Sequence, residues 1–194
     1  MDVAHMAVIV RSLSNQQIET FQGQFVTVYR DAFGAPPYCK GEDEVMDFAQ
    51  SLPQHAEREG FRMVVAVEDG TGALVGFAYG YKNTPGQLWH EEVARAVRPQ
   101  IVAAWLMNSF RFVEIAVVPK AQGQGIGGLL HDHMLNRLPY RKAVLSTMAA
   151  ETNAHWMYQK RGWEVLVEKV IFPGVARPYR VMGLKLGEER EDAA

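Results

Sequence analysis

Gly123, Gly125, Gly127 and Gly128 lie between an apolar run, Phe112-Val-Glu-Ile-Ala-Val-Val118, and a second apolar stretch that begins Leu129-Leu130. A strand that hands a glycine-dense loop to a helix presents backbone N–H groups at the positive end of the helix dipole. That arrangement suits a phosphate or pyrophosphate. Inside the same apolar run stands Glu114. A carboxylate there costs free energy to bury unless it is paired or functional, so Glu114 is a candidate proton acceptor, the alternative being an ion pair with a basic neighbour such as Arg111. Other reactive side chains are less informative. His131 and His133 flank Asp132 without further metal-ligand spacing and read as a solvated helix face. His155, beside Trp156, reads as a surface residue, the alternative being a pocket lining, and Cys39 as a loop thiol, the alternative being a catalytic nucleophile.

Two nucleotide-binding readings of the loop are testable by spacing. A Walker A loop is excluded, because no Gly-Lys-Ser/Thr follows the glycines. The dinucleotide pattern G-x-G-x-x-G is formally present as Gly123, Gly125 and Gly128. In that fold, however, the first glycine follows the strand directly, whereas Pro119-Lys-Ala-Gln122 intervenes here. The expected acidic partner has Glu151 as its sole candidate, which leaves this reading weak.

The elements that must position the loop follow from periodicity. Ala7–Arg11 is a short β-type run, and Ser14-Asn-Gln-Gln17 offers a capping box for a helix carrying Ile18, Phe21, Phe25, Val28, Tyr29 and Ala32. A second helix starts near Gly41 and carries Val45, Phe48, Ala49 and Leu52, with Pro53 expected to break or kink it. Phe61–Glu68 and Leu74–Lys82 flank the turn Asp69-Gly-Thr-Gly72 and predict an antiparallel hairpin. From Gln87 to Met107, helical phase continues through a break at Pro99, predicting two helical segments. Then come a strand over Phe110–Val118, a helix over Gly125–Leu138, a strand over Ala143–Thr147, a short helix over Asn153–Arg161, and strands over Trp163–Phe172 and Tyr179–Leu186. This order predicts a mixed α/β sheet with helices on both faces.

A length of 194 residues with 48 % apolar residues fits one domain, expected over residues 7–187, with residues 1–6 as leader and 188–194 as a frayed tail. A formal charge of −2 gives no electrostatic case for nucleic acid or membrane surfaces as partners. With Cys39 alone, no intramolecular disulfide can form, and a cytoplasmic location is expected.

The sharper description of the loop is Gln122-x-x-Gly125-x-Gly127, preceded by Glu114-Ile-Ala-Val-Val-Pro119. Here the chain resembles the GNAT superfamily of acetyl-coenzyme A-dependent N-acetyltransferases. A later Ala154-x-x-Met157-Tyr158-x-x-x-Gly162-Trp163 resembles a second motif of that family, and the element order matches apart from the helical insertion at 87–107. The resemblance implies a GNAT-like, mostly antiparallel sheet of about seven strands. It also implies acetyl-CoA as co-substrate, with no metal.

The same resemblance assigns roles. Backbone N–H groups of Gln122, Gly123, Gln124, Gly125, Ile126, Gly127 and Gly128 would hold the pyrophosphate, with Lys120 adding charge nearby. Backbone groups of Ile115, Ala116 and Val117 would pair with the pantetheine arm, and one of them, at Val117, would polarise the thioester carbonyl. Tyr158 would return a proton to the departing thiolate, and Glu114, through water, would deprotonate the amine. The stretch Leu145-Ser-Thr-Met148, where some family members place a base, has no carboxylate. At the position of a family asparagine stands Glu151, which leaves Thr152 or Asn153 to cap the following helix.

The expected activity is acetyl transfer from acetyl-CoA to a primary amine, borne by a small molecule or a peptide N-terminus, by direct attack. A catalytically silent acyl-CoA sensor and an NAD(P)-binding oxidoreductase are the alternatives. Nothing in the early helices or the insertion names the acceptor. The insertion's apolar face is expected either to close the acceptor pocket or to form a homodimer contact.

Overall fold

The computed structural model describes residues 6–187, so the predicted tail at 188–194 and all of the predicted leader except Met6 lie outside the described residues. Seven strands follow the order β1-β2-β3-β4-β5-β7-β6; β1–β2, β2–β3, β5–β7 and β6–β7 pair antiparallel and β4–β5 in parallel, and helices complete a mixed, mostly antiparallel α/β fold. The chain clusters into two units, one built from residues up to Tyr81 with Glu114–Asn136, the other from Lys82–Val113 with residues from Arg137 onward.

In the first unit, β1 (Val8–Ser12), β2 (Arg62–Glu68) and β3 (Leu74–Lys82) form an antiparallel meander. Side chains alternate along β3, and the two faces meet different helices. On one face, Phe77 packs edge-on to Phe25 of α1 (Asn15–Phe33) and stacks on Phe48 of α2 (Glu42–Ala56), at ring separations of 5.4 and 5.7 Å. On the other, Gly76 faces Leu130 of α5 (Ile126–Leu135). The capping box of α1 forms as its sequence indicates: the Ser14 N–H donates to Gln17 Oε1 at 3.0 Å, and the Gln17 N–H donates to Ser14 Oγ at 3.4 Å.

Pro53 does not end α2, which runs on to Ala56. Proline lacks the N–H that the Ala49 carbonyl would otherwise accept, a helix-interior penalty of about 3 kcal/mol. Gln22 of α1 replaces that donor, its Nε2 lying 2.9 Å from Ala49 O. The helix therefore survives its proline because a neighbouring helix satisfies the orphaned carbonyl. Helix α5 stops three residues short of expectation. Asn136 is extended and Arg137 adopts a positive φ of 54°, while Arg62 Nη1 donates to the Asn136 carbonyl at 2.7 Å and so places a cation at the negative end of the helix.

In the second unit, β5 (Lys142–Met148) pairs antiparallel with β7 (Tyr179–Lys185), which in turn pairs with β6 (Glu164–Val170). The first residues of β4 (Phe110–Val117) pair in parallel with β5 through Phe110↔Ala143 and Arg111↔Val144. The insertion forms α3 (Leu88–Ala96), a single turn α4 (Pro99–Ile101) and a π-helical turn over Val102–Leu106. Its break falls at Val97 and Arg98, both extended, as the residue before a proline prefers. The π turn was not expected. Its Trp105 lies on Gly183 of β7, where an added Cβ would stand 2.5 Å from the indole, so only glycine lets the ring lie against the strand. Trp89, Val93, Trp105, Leu106, Val144, Val170 and Val181 form the core that fixes the insertion. The indole N–H of Trp89 donates to Ser146 Oγ at 3.0 Å, and Arg111 stacks over its ring at 4.7 Å. Both tryptophans are thus core residues.

Candidate functional site

Within the first unit, the end of β4 passes through a 3-10 turn (Pro119–Ala121) into the glycine loop and α5. The turn is closed by the Ala121 N–H donating to Val118 O at 2.9 Å and the Gln122 N–H donating to Pro119 O at 3.2 Å. Two glutamine side chains brace it. Gln122 Nε2 donates to Val117 O at 2.8 Å, and Gln124 Nε2 to Lys120 O at 3.2 Å. Gln124 Oε1 also accepts the Met6 N–H at 2.8 Å, tying a residue just before β1 to the loop. The spacing of these glutamines was legible in the sequence; their bracing bonds were not.

Gly123 and Gly125 have φ of 75° and 81°, the left-handed region that residues with a Cβ rarely occupy. No atom lies within 4 Å of where a Cβ on either would stand, so the loop is open on that side. Gly125 is the N-cap of α5, and no side chain caps the helix. The first intrahelical bond is the Leu129 N–H to Gly125 O, at 3.1 Å. Helix geometry therefore leaves the N–H groups of Ile126, Gly127 and Gly128 without a partner four residues back, gathered at the positive end of the dipole. Such an arrangement of N–H groups is the kind that suits an anion.

The strand leading into the loop is held on its β3 side by the Val118 N–H donating to Val75 O at 2.9 Å. Ala116 is buried, whereas Ile115 and Val117 are half-buried. Glu114 is half-buried, and its Oε1 accepts the N–H of Ile115 at 3.2 Å. Gln122 and Ile115, both expected to offer backbone N–H groups, thus have those groups engaged locally.

In the second unit, Tyr158 lies on α6 (Asn153–Lys160) and is only 5 % exposed. Its ring packs edge-on to Phe112 and Trp163, with centroids 6.4 and 5.7 Å away, so the phenol is held by an aromatic cluster. The cap of α6 falls to Thr152, whose Oγ1 accepts the His155 N–H at 3.1 Å. His155 is not a surface residue: it is 2 % exposed. Arg180 of β7 lies with Nη1 2.9 and 3.0 Å from its two ring nitrogens, while Arg180 Nε donates to Glu168 Oε2 at 2.8 Å. Glu151 completes the group, 3.8 Å from both Arg180 Nη2 and His155 Nε2. Sequence reading missed this cluster because its members come from α6, β6, β7 and the loop before α6. His131, expected on a solvated face, is also buried, with Nδ1 2.8 Å from Asp132 Oδ1. Among the described residues, no group of three or more His, Cys, Asp or Glu side chains is arranged to hold a metal ion, and no helix is long and apolar enough to cross a membrane.

Comparison with known proteins fits this geometry. The sequence profile described as the acetyltransferase (GNAT) family matches residues 25–163. A GCN5-like protein acetyltransferase of Mycobacterium tuberculosis is 29 % identical over 209 residues, covering 93 % of this chain and 99 % of its own. Among solved structures, the ribosomal-protein-S18-alanine N-acetyltransferase of Escherichia coli superposes with a TM-score of 0.61 at 15 % identity, covering 97 % of this chain and 99 % of its own. The PaiA N-acetyltransferase of Thermoplasma acidophilum, solved with coenzyme A, gives a TM-score of 0.61 at 16 % identity, covering 93 % of this chain and 100 % of its own. At such identities the two structures are similar in fold.

Proposed function

The chain belongs to the acetyltransferase (GNAT) family, and from that premise we propose that it moves an acetyl group from acetyl-CoA to a primary amine by direct attack, in one catalytic domain over residues 7–187. The observation that supports the reading is the uncapped start of α5 behind Gly123 and Gly125, where backbone N–H groups gather at the positive end of the helix dipole. The pyrophosphate of the coenzyme is the anion that the family supplies, and Gly123, Gln124, Gly125, Ile126, Gly127 and Gly128 would hold it. Gln122 would act as the brace that keeps the loop in shape, through its bond to Val117 O.

The pantetheine arm would pair with backbone groups of Ile115, Ala116 and Val117, with the Val117 N–H directed at the thioester oxygen. As the amine attacks, charge develops on that oxygen, and a fixed donor there lowers the barrier. The attacking nitrogen must first lose a proton, and Glu114, through a water molecule, would accept it. Collapse of the tetrahedral adduct breaks the C–S bond, and Tyr158 would protonate the departing sulfur.

The Mycobacterium tuberculosis relative is named for acting on protein, and the Escherichia coli neighbour for acting on an alanine of a ribosomal protein. Peptide amines therefore belong beside small amines in any acceptor screen. Acetyl-CoA should raise the melting temperature whereas NAD(P)H should not, and thiol release from acetyl-CoA should depend on an added amine. Stabilisation by acetyl-CoA without amine-dependent thiol release would replace the enzyme reading with a binding protein.

A further inference from the structure

The glycine loop has little of its own to hold it in one shape. Of the three residues between Gln122 and Ile126, two are Gly123 and Gly125, and glycine loses more backbone freedom on ordering than any other residue. No atom lies within 4 Å of where a Cβ on either would stand, so nothing packs against them there. The third residue, half-buried Gln124, carries the side chain that links this stretch to the rest of its unit.

Gln124 Nε2 donates to the Lys120 carbonyl at 3.2 Å while Gln124 Oε1 accepts the Met6 N–H at 2.8 Å. One partner only accepts and the other only donates, so turning the amide over would lose both bonds. The first bond closes the loop on its own turn. The second reaches a residue 118 positions away. Met6 is fixed in turn by its neighbours: the Ala7 carbonyl accepts the Asp69 N–H at 2.9 Å, and Val8 stands opposite Glu68 in the β1–β2 pairing. The tie therefore ends on the sheet, beside the turn that joins β2 to β3, and α5 packs on the same strands β1 and β2. Gln122, bonded to Val117 O, serves the near end of the loop, and Gln124 serves the far end.

We propose that the Gln124 side chain is a positioning group for the donor: by tying the loop to the entry of β1, it keeps the N–H groups of Ile126, Gly127 and Gly128 in the shape that a pyrophosphate needs. The use of that shape for a pyrophosphate rests on the acetyl-CoA reading above, whereas the tie itself does not. The Gln124 amide takes no part in making or breaking covalent bonds. Its effect is on affinity. A loop that samples several shapes binds in proportion to the fraction already in the right one. Ordering the loop beforehand removes a cost that binding would otherwise bear.

A residue expected to belong to a leader thereby reaches the donor site. Met6 contributes through its backbone N–H, so proline is the substitution at position 6 that removes the bond directly. Position 6 precedes β1, so no N–H of the β1–β2 ladder is lost with it.

The test is calorimetric titration of the full chain with coenzyme A, in wild type, Gln124→Met, Met6→Pro and the double variant, together with amide hydrogen exchange on the free proteins. Gln124→Met keeps the length of the side chain and removes both bonds, so the affinity for coenzyme A should fall about fivefold or more. Met6→Pro should cost less, since it removes one bond. Because that bond is shared, the double variant should bind no more weakly than Gln124→Met. Exchange should quicken over residues 123–128 in each variant and stay as in wild type along β2 and β3. Equal affinities of wild type and Gln124→Met, losses that add in the double variant, or faster exchange throughout the unit would each overturn the proposal while leaving the donor reading intact. A wild-type chain that does not bind coenzyme A would reject the donor reading and the positioning role with it.

Discussion

A Cβ built on Gly76 would stand 2.9 Å from the carbonyl oxygen of Ala116, with Leu130 Cδ1 at 3.1 Å and Val117 Cγ2 at 3.2 Å. The middle of β3 thus lets β4 and α5 close in at the level where the pantetheine arm is proposed to pair. Because the nearest contact is backbone, the neighbour cannot relax by turning a side chain. Gly76→Ala should destabilise the fold by about 1–3 kcal/mol, as overpacking does. It should also raise KM for acetyl-CoA more than it lowers kcat. Chemical denaturation and steady-state kinetics on the variant check both; an unchanged KM with lost stability would separate Gly76 from the donor site.

Tyr158→Phe keeps the ring that packs against Phe112 and Trp163 and removes only the hydroxyl. Turnover should fall by roughly a hundredfold or more, within the range of general acid catalysis, with acetyl-CoA affinity little changed. Equal kcat in wild type and variant would assign the residue to packing.

Glu114→Gln should lower kcat, with partial recovery as pH rises and more of the amine is already neutral. Its measurement is the kcat profile from pH 7 to pH 10. A ratio of wild type to variant that stays constant across that range would identify the carboxylate as a structural acceptor of the Ile115 N–H.

His90 gives a pH dependence of stability whose sign follows from burial. Its folded pKa lies below the ordinary value of 6.5, so the unfolded chain takes up a proton at a pH where the folded chain does not. Stability contributed by the neutral ring is full above about pH 6.5 and declines as pH falls below it, until the folded pKa is passed. His90→Gln should therefore show a smaller drop in melting temperature between pH 7 and pH 5.5 than wild type. Parallel curves would contradict the assignment.

The fold was legible where local rules act alone. The Ser14–Gln17 capping box, the hairpin around Asp69–Gly72 and the strand-loop-helix at 110–135 all follow from short-range pattern. What escaped the sequence depended on distant partners. The rescue of Pro53 needs Gln22 from another helix. The burial of His155 needs Arg180 from β7, and the π turn at 102–106 needs the bare backbone of Gly183 beneath Trp105. Within the candidate site, the glycines were readable because positive φ and an uncapped helix start are backbone properties. The buried atoms Asn83 Oδ1, Gln87 Oε1 and His90 Nδ1, which lack a partner among the described residues, were not readable, since a missing partner shows only when every neighbour is known.

The central claim is amine-dependent acetyl transfer. Its most direct measurement is release of coenzyme A thiol from acetyl-CoA in the presence of small primary amines and peptides with free N-termini, with the acetylated product weighed by mass spectrometry. The account predicts thiol release that saturates with at least one amine, matched one to one by a product heavier by one acetyl group. Binding of acetyl-CoA with thiol release no faster than hydrolysis across the panel would contradict it.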